Sequence, residues 1–325
     1  MRNWVLPEYI EDILPPEAEA IEQLRRTLID HFRANHYRLV QPPLVEHLES
    51  LLTGTGHDLE LQTFKVIDPL SGRLLGVRAD ITPQVARIDA HLLNEPGVTR
   101  LCYAGSVLRT VAPGLARTRE VLQIGAELYG DAEIGADCEV LTLLLSSLSL
   151  TGALALHLDL GHVGVYRALA NSAHIAGNIA DSELFAALRI KDVPAIAELT
   201  SKLPGAWRDA FMALPALYGP ADEVLAAARA QLPDIPSIDT ALSALTALAR
   251  CAAPVVDAVH VDLADLRGYH YQTGASFSVF TGGEANAIGR GERYDGIGKA
   301  FGRARPATGF TLDLRQLAAL VARRQ

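Results

Sequence analysis

The stretch Val121–Tyr129 constrains the fold of this chain more than any other. Leu122, Ile124, Ala126 and Leu128 fall on one face of a strand, while Val121, Gln123, Gly125, Glu127 and Tyr129 fall on the other. The first face needs a hydrophobic core. The second sets a carboxamide and a carboxylate on either side of a glycine. Leu101–Val111 reads as the preceding strand, and it carries Arg109 into a loop, Thr110–Arg119, that adds Arg117 and Arg119. A hairpin of these strands would place a guanidinium, the Gln123 carboxamide and the Glu127 carboxylate over one patch. Gly125 would leave room between them. Such a patch suits a zwitterion, with Glu127 taking an ammonium and Arg109 a carboxylate. A salt-bridged sheet surface is the plainer reading of the same pattern.

Helical signals flank these strands. Pro15 and Pro16 precede Glu17–Asn35, where Ile21, Leu24, Leu28 and Phe32 recur at helical spacing. Thr82-Pro83 predicts a second helix start with Thr82 as the cap, and Val85, Ile88 and Leu92 as its buried stripe. A third helix is expected over about Asp137–Leu150, stopped near Gly152. Tyr37–Pro43 reads as an extended segment. From about 168 to 251 the chain is rich in Ala and Leu with repeated Pro breaks, which predicts a string of short helices. Strand signal returns at Val255–Leu263 and Ala275–Phe280. A Gly-rich segment, Gly282–Gly298, follows, and a last helix is expected at Leu312–Arg324. These elements predict an α/β core, of the α+β kind, interrupted by a helical insertion.

Composition excludes several classes. The chain has 325 residues, 49% of them hydrophobic and 21% charged, with a formal net charge of −9. That balance suits a soluble globular protein and argues against an autonomous nucleic-acid binder. No run approaches the roughly 18 apolar residues of a membrane span, and Met1–Asp12 has no signal-peptide core. Cys102, Cys138 and Cys251 form no CxxC or zinc spacing. No disulfide framework is expected, and a reducing cytoplasm is the simplest home.

Local motifs add little by elimination. Gly54 and Gly56 lack the strand and helix context of a dinucleotide fingerprint, and Gly289-Arg290-Gly291 is not followed by GK[ST]. Ser106 lacks a nucleophile elbow. The histidines are scattered, so neither a metal nor another cofactor is expected. Arg267-Gly268-Tyr269-His270-Tyr271, an arginine on a tight turn amid aromatic rings, remains open as either a site or a strand end.

Taken together, several segments resemble the class II histidyl-tRNA synthetases. They are Tyr37–Gly56, Arg78-Ala79-Asp80-Ile81-Thr82, Ala104–Gly130, Arg267–Gly274 (RGYHYQTG), Gly289–Gly296 (GRGERYDG) and Ala307–Phe310. They follow the family's order over nearly the whole chain. The resemblance implies an antiparallel sheet flanked by helices, a dimer, and a histidine site at Asp80, Thr82, Arg109, Gln123, Glu127, Arg267 and Tyr271. Tyr294 matches a family tyrosine. Asp80 stands for a Glu, His270 for an Asp and Gln272 for a Tyr.

Three departures bear on function. Val111 stands where the family uses a Glu in binding ATP. Asp313-Leu314-Arg315-Gln316 replaces Gly-Leu-Glu-Arg, so Gln316 stands where an Arg grips the phosphates. The chain stops soon afterwards, and no anticodon-binding domain is expected. A kept amino-acid pocket beside a broken adenylation site is similar to the regulatory subunits of short-form ATP phosphoribosyltransferases. That resemblance implies one core domain over 1–325 with its insertion at about 168–251, and no catalytic residues. It also implies a hetero-octamer with the separate catalytic chain, the first step of histidine biosynthesis, and feedback by histidine. Glu127 and Asp80 would meet the amine or imidazole, and Arg267 the carboxylate or a polar group. The alternative is a truncated synthetase that still adenylates histidine or a related amino acid, with Arg117 and Arg119 holding phosphates.

Overall fold

The computed structural model describes residues 5–54, 57–112, 118–177, 179–268 and 271–323. Arg117 and His270 lie outside the described residues, as does Tyr269. In chain order, α1 (Glu17–Ala34) leads to β1 (Arg38–Leu39), β2 (Val45–His47), α2 (Leu48–Leu51), α3 (His57–Gln62), β3 (Phe64–Ile67) and β4 (Leu74–Val77). Then α4 (Thr82–Arg87) runs into a π-helical turn, Ile88–Leu93, and the long hairpin of β5 (Thr99–Leu108) and β6 (Glu120–Tyr129). Next come α5 (Ile134–Leu150), β7 (Leu156–His162), α6 (Val163–Ser172), α7 (Ile179–Arg189), α8 (Val193–Leu199) and α9 (Gly205–Ala213). The chain continues through β8 (Tyr218–Pro220), α10 (Ala221–Gln231), α11 (Pro236–Ala252), β9 (Ala258–Asp262), β10 (Ala275–Thr281), β11 (Gly289–Arg293), β12 (Ala307–Asp313) and α12 (Leu314–Ala322).

One nine-stranded sheet carries the fold, in the order β1-β5-β6-β12-β11-β10-β7-β9-β8. Its pairings are antiparallel except for β1 with β5 and β7 with β9. A three-stranded antiparallel sheet, β2-β4-β3, stands apart. The strand expected at Val121–Tyr129 is β6, and it is covered on both sides. Ile124, Ala126 and Leu128 enter a large core with α1, α5 and α11. Val121 and Tyr129, on the opposite face, enter a smaller core with Ile81, Val85, Leu101, Tyr103, Val107 and Tyr294. Gln123 and Glu127 are thus buried on the side away from the main helical layer, 2% and 1% exposed.

Several expectations are corrected. Thr82 does not cap α4; Ile81 holds that position without a side-chain bond, because the Thr82 hydroxyl is drawn to Glu127. The Gly-rich segment contains β11, whose glycines lie close against neighbours: a Cβ at Gly291 would overlap the Phe277 ring. The last helix starts two residues late because Leu312 and Asp313 complete β12. The short-helix region also supplies β8, an edge strand on β9. Finally, Cys138 on α5 and Cys251 on α11 are bonded, with Cα atoms 6.0 Å apart. The sequence separates them by 113 residues. Packing of α11 along α5 joins them, and local spacing carries no trace of that contact.

Buried ion pairs fix the loops around the sheet. Arg305 donates to both Asp89 oxygens, at 2.8 and 3.1 Å, and to the Gly97 carbonyl. Both side chains are almost wholly buried. Removing one partner strands the other charge, so Asp89→Ala is expected to cost about 3–5 kcal/mol in urea unfolding. A loss below about 1 kcal/mol would show that the arginine finds another partner or water.

Candidate functional site

The site is built on the inner face of β6. Glu127 Oε1 accepts from Thr82 Oγ1 and from Tyr103 Oη, both at 3.0 Å. Its Oε2 accepts from Tyr294 Oη at 2.5 Å, and the Tyr129 hydroxyl lies 3.2 Å from Tyr294 Oη, to which it can donate. Beside it, Gln123 Nε2 donates to Asp80 Oδ1 at 2.9 Å, while Gln123 Oε1 accepts from the Ile81 amide at 3.0 Å. Asp80 Oδ1 also accepts from the Thr82 amide at 3.0 Å. The loop before α4 is therefore locked onto β6 through its backbone and side chains together.

Two glycines make the room. A Cβ at Gly125 would overlap the Phe310 carbonyl and the Tyr103 hydroxyl, and a Cβ at Gly309 would overlap Glu127 Oε2. Burial pushes the Glu127 carboxyl up to about 8, with the hydroxyls of Tyr294, Tyr103 and Thr82 opposing and Asp80 adding to the rise. Near neutral pH this group holds a proton for most of the time, and an incoming cation would favour its ionised form.

The other expected residues sit further out. Tyr271 donates to Glu292 on β11. Arg109 lies just beyond β5, where its Nε donates to the Ala79 carbonyl at 3.2 Å and its amide pairs with Arg119. With Gln123 and Arg290 it lines a cleft of about 260 Å³ that also includes Asp313 and Gln316. Arg267 does not reach the Glu127 network. Its fork is taken by Asp265, at 2.7 and 2.5 Å, so its charge is already neutralised. The structure thus brings Asp80, Thr82, Gln123 and Glu127 into one network, with Tyr271 and Arg109 at its margins and Arg267 apart.

Sequence reasoning did not single out Tyr103 or Glu292. Tyr103 carries a usable signal, since the hairpin register that pairs it with Gly125 sets its ring beside Glu127. Glu292 lay in the Gly-rich segment, within the GRGERYDG motif, without being singled out.

Asp313 caps α12 by accepting from the Arg315 amide at 2.9 Å. Burial raises its carboxyl above the usual range. Arg315, one residue before Gln316, is engaged by Glu120 at 3.3 Å and Glu11 at 3.6 Å. Among the described residues no group of three or more His, Cys, Asp or Glu side chains could hold a metal ion, and no helix is long and apolar enough to cross a membrane.

Residues 9–317 match the family described as Histidyl-tRNA synthetase. An ATP phosphoribosyltransferase regulatory subunit from Ralstonia nicotianae is 59% identical over 320 residues, covering 98% of this chain and 82% of that protein. One of the same name from Thiobacillus denitrificans is 56% identical over 317 residues, covering 98% of each. Among solved structures, an ATP phosphoribosyltransferase regulatory subunit/histidyl-tRNA synthetase from Bacillus halodurans superposes with a TM-score of 0.87 at 26% identity, covering 99% of this chain and 84% of that one. A histidyl-tRNA synthetase from Nostoc, 17% identical with a TM-score of 0.78 and covering 99% of this chain and 76% of that one, shares the fold. With the class II core in place, these matches show that the chain belongs to the family of ATP phosphoribosyltransferase regulatory subunits, built on the histidyl-tRNA synthetase fold.

Proposed function

We propose that this chain is a non-catalytic regulatory subunit that joins a short-form ATP phosphoribosyltransferase catalytic chain, supports the first step of histidine biosynthesis and carries feedback by histidine. The observation that carries the reading is the pairing of two neighbouring sites. The Asp80–Gln123–Thr82–Glu127 network is complete, while the adjoining cleft sets the Asp313 carboxyl and the neutral Gln316 beside Arg109 and Arg290, which weakens its hold on a polyanion. Asp80 and Glu127 would receive the amine or imidazole of histidine, with Thr82, Gln123 and Tyr271 around them. Arg109 is better placed than Arg267 to meet the carboxylate, because Asp265 already occupies Arg267.

Regulation would work by linkage: a histidine-bound conformation of the complex is stabilised, and the equilibrium shifts by the difference in affinity between states. A self-associated dimer inside a four-plus-four hetero-octamer is the expected assembly. A net charge of −9 argues against a nucleic-acid partner. The expected compartment is the cytoplasm, where thiol trapping in a fresh lysate would show whether Cys138 and Cys251 stay bonded.

Reconstitution tests the reading. Mixed with the short catalytic chain from the same cell, this protein is expected to raise the rate of phosphoribosyl-ATP formation at least tenfold, with histidine suppressing the gain. Absence of both a complex and a rate change would sink it. The second reading is residual adenylation of an amino acid. Arg109 and Arg290 in the cleft favour it, and histidine-dependent pyrophosphate exchange would reveal it.

A further inference from the structure

The Cys138–Cys251 bond ties the helical insertion to the helix behind the site strands. α5 packs against β6, β11 and β12, and α11, the last helix of the insertion, packs along α5. The bond joins the fifth residue of α5 to the last turn of α11. Both cysteines are half-buried, which leaves them open to a small thiol or disulfide. Cys102 is fully buried, and burial pushes its thiol up to about 12, so it takes no part in exchange near neutral pH.

The bond is not what makes these helices pack. Leu141, Leu144 and Leu148 of α5 and Leu242, Leu245 and Leu248 of α11 are buried in one core. That apolar contact is independent of the sulfurs. Cutting the bond therefore releases the ends of the two helices and leaves their middles in place.

The start of α5 is also where this helix grips the site. Asp137, beside Cys138, is 3% exposed and accepts from Arg293 Nε at 2.9 Å. The Arg293 guanidinium donates as well to the Asp131 and Glu133 carbonyls, at 3.1 and 3.3 Å, just before α5. Next along the chain, Tyr294 gives its hydroxyl to Glu127 and its amide to the Ala307 carbonyl at 2.8 Å. One helical turn is thus held by sulfur on one side and by the arginine that anchors Tyr294 on the other.

We propose that Cys138 and Cys251 form a redox latch on the Glu127 network. Closed, the latch fixes the first turn of α5 against α11 and, through Asp137 and Arg293, steadies Tyr294 on the carboxyl. Open, that turn moves more freely and the support of Tyr294 loosens. Closure is thiol–disulfide exchange with a small-molecule disulfide. The Cys138 thiolate, favoured by the N-terminal end of α5, attacks one sulfur of that disulfide and expels a thiolate. The Cys251 thiolate then attacks the Cys138 sulfur of the mixed disulfide and expels the second. Two protein thiols are oxidised to one bond, the small disulfide is reduced to two thiols, and the protein's two protons end on the departing thiolates. An excess of small thiol reverses the sequence. The latch acts on the support of the carboxyl and does not depend on which ligand the site takes.

Hydrogen exchange read by mass spectrometry, on the full chain equilibrated in mixtures of reduced and oxidised glutathione, tests the proposal. The bonded fraction is expected to titrate reversibly across the mixtures while the protein stays folded. Peptides covering the first turn of α5 and Tyr294 should exchange at least tenfold faster in the reduced protein. Cys251→Ser should show the faster rate in every mixture, and Cys138→Ser serves if that variant does not fold. A bond that never closes in the folded protein, or opens only on unfolding, overturns the proposal. Faster exchange confined to α11, or a redox effect that persists without the cysteine pair, overturns it as well.

Discussion

Gly309→Ala is expected to lower stability by about 4 kcal/mol or more and to abolish histidine control of the reconstituted complex. The methyl would occupy the space of Glu127 Oε2. The carboxyl can leave only by giving up the hydroxyls of Thr82, Tyr103 and Tyr294. Overpacking a filled site costs about 1–3 kcal/mol, and each hydrogen bond lost from a buried group adds of order 1 kcal/mol. The pair should be strongly coupled. In a Glu127→Ala background the same glycine change should cost at least 1.5 kcal/mol less, because the obstructing oxygen is gone. Urea unfolding of the four proteins in that cycle measures the coupling, and additive losses would mean that β12 shifts to admit the methyl.

Glu127→Gln is expected to change the pH dependence of stability, with a definite sign. The folded carboxyl is raised from 4.5 to about 8. Between those values the folded protein holds a proton that the unfolded chain releases. Stability from this group is therefore full below about pH 4.5 and is lost as pH rises through about 8. A shift of that size corresponds to a few kcal/mol at most, at 1.36 kcal/mol per pH unit. The glutamine keeps the shape and cannot ionise, so the variant should be more stable than the wild type at pH 8.5 and nearly equal to it at pH 5. Melting temperatures of both proteins across that range give the difference, in which the other buried carboxyls cancel. Parallel curves would show that Glu127 stays ionised in the folded state. The same variant should bind histidine less well, since a neutral amide offers an ammonium no charge.

Much of this arrangement was legible in the sequence, and the reasons are physical. The alternation at Val121–Tyr129 located β6 and its polar face, because a strand's two-residue period translates directly into sidedness. The stripe of Ile21, Leu28 and Phe32 located α1 by the same logic at helical spacing. Thr82 shows the limit of local rules. Thr before Pro is a good cap signal, yet a buried carboxyl 45 positions away claims its hydroxyl. Arg267 shows it again: Asp265, two residues earlier, takes the guanidinium that the motif would assign to a ligand. Glu292 was not singled out within the Gly-rich segment, although GRGERYDG carried it. In β11, Gly289 and Gly291 mark where Leu144, Leu312 and Phe277 press against the backbone. The Cys138–Cys251 contact belongs to helix packing, which no spacing rule reports.

That cross-link has a topological consequence. It closes a covalent ring that includes most of α5, β7, the whole short-helix region and most of α11. A protease that cuts once inside the ring opens it without releasing a fragment. The nicked protein would migrate as one species until a reductant separates it. Local opening of those helices likewise stays a unimolecular event, anchored at both ends to the layer that backs the Glu127 strand. Loss of one peptide bond there subtracts rigidity, whereas the number of molecules in solution is unchanged.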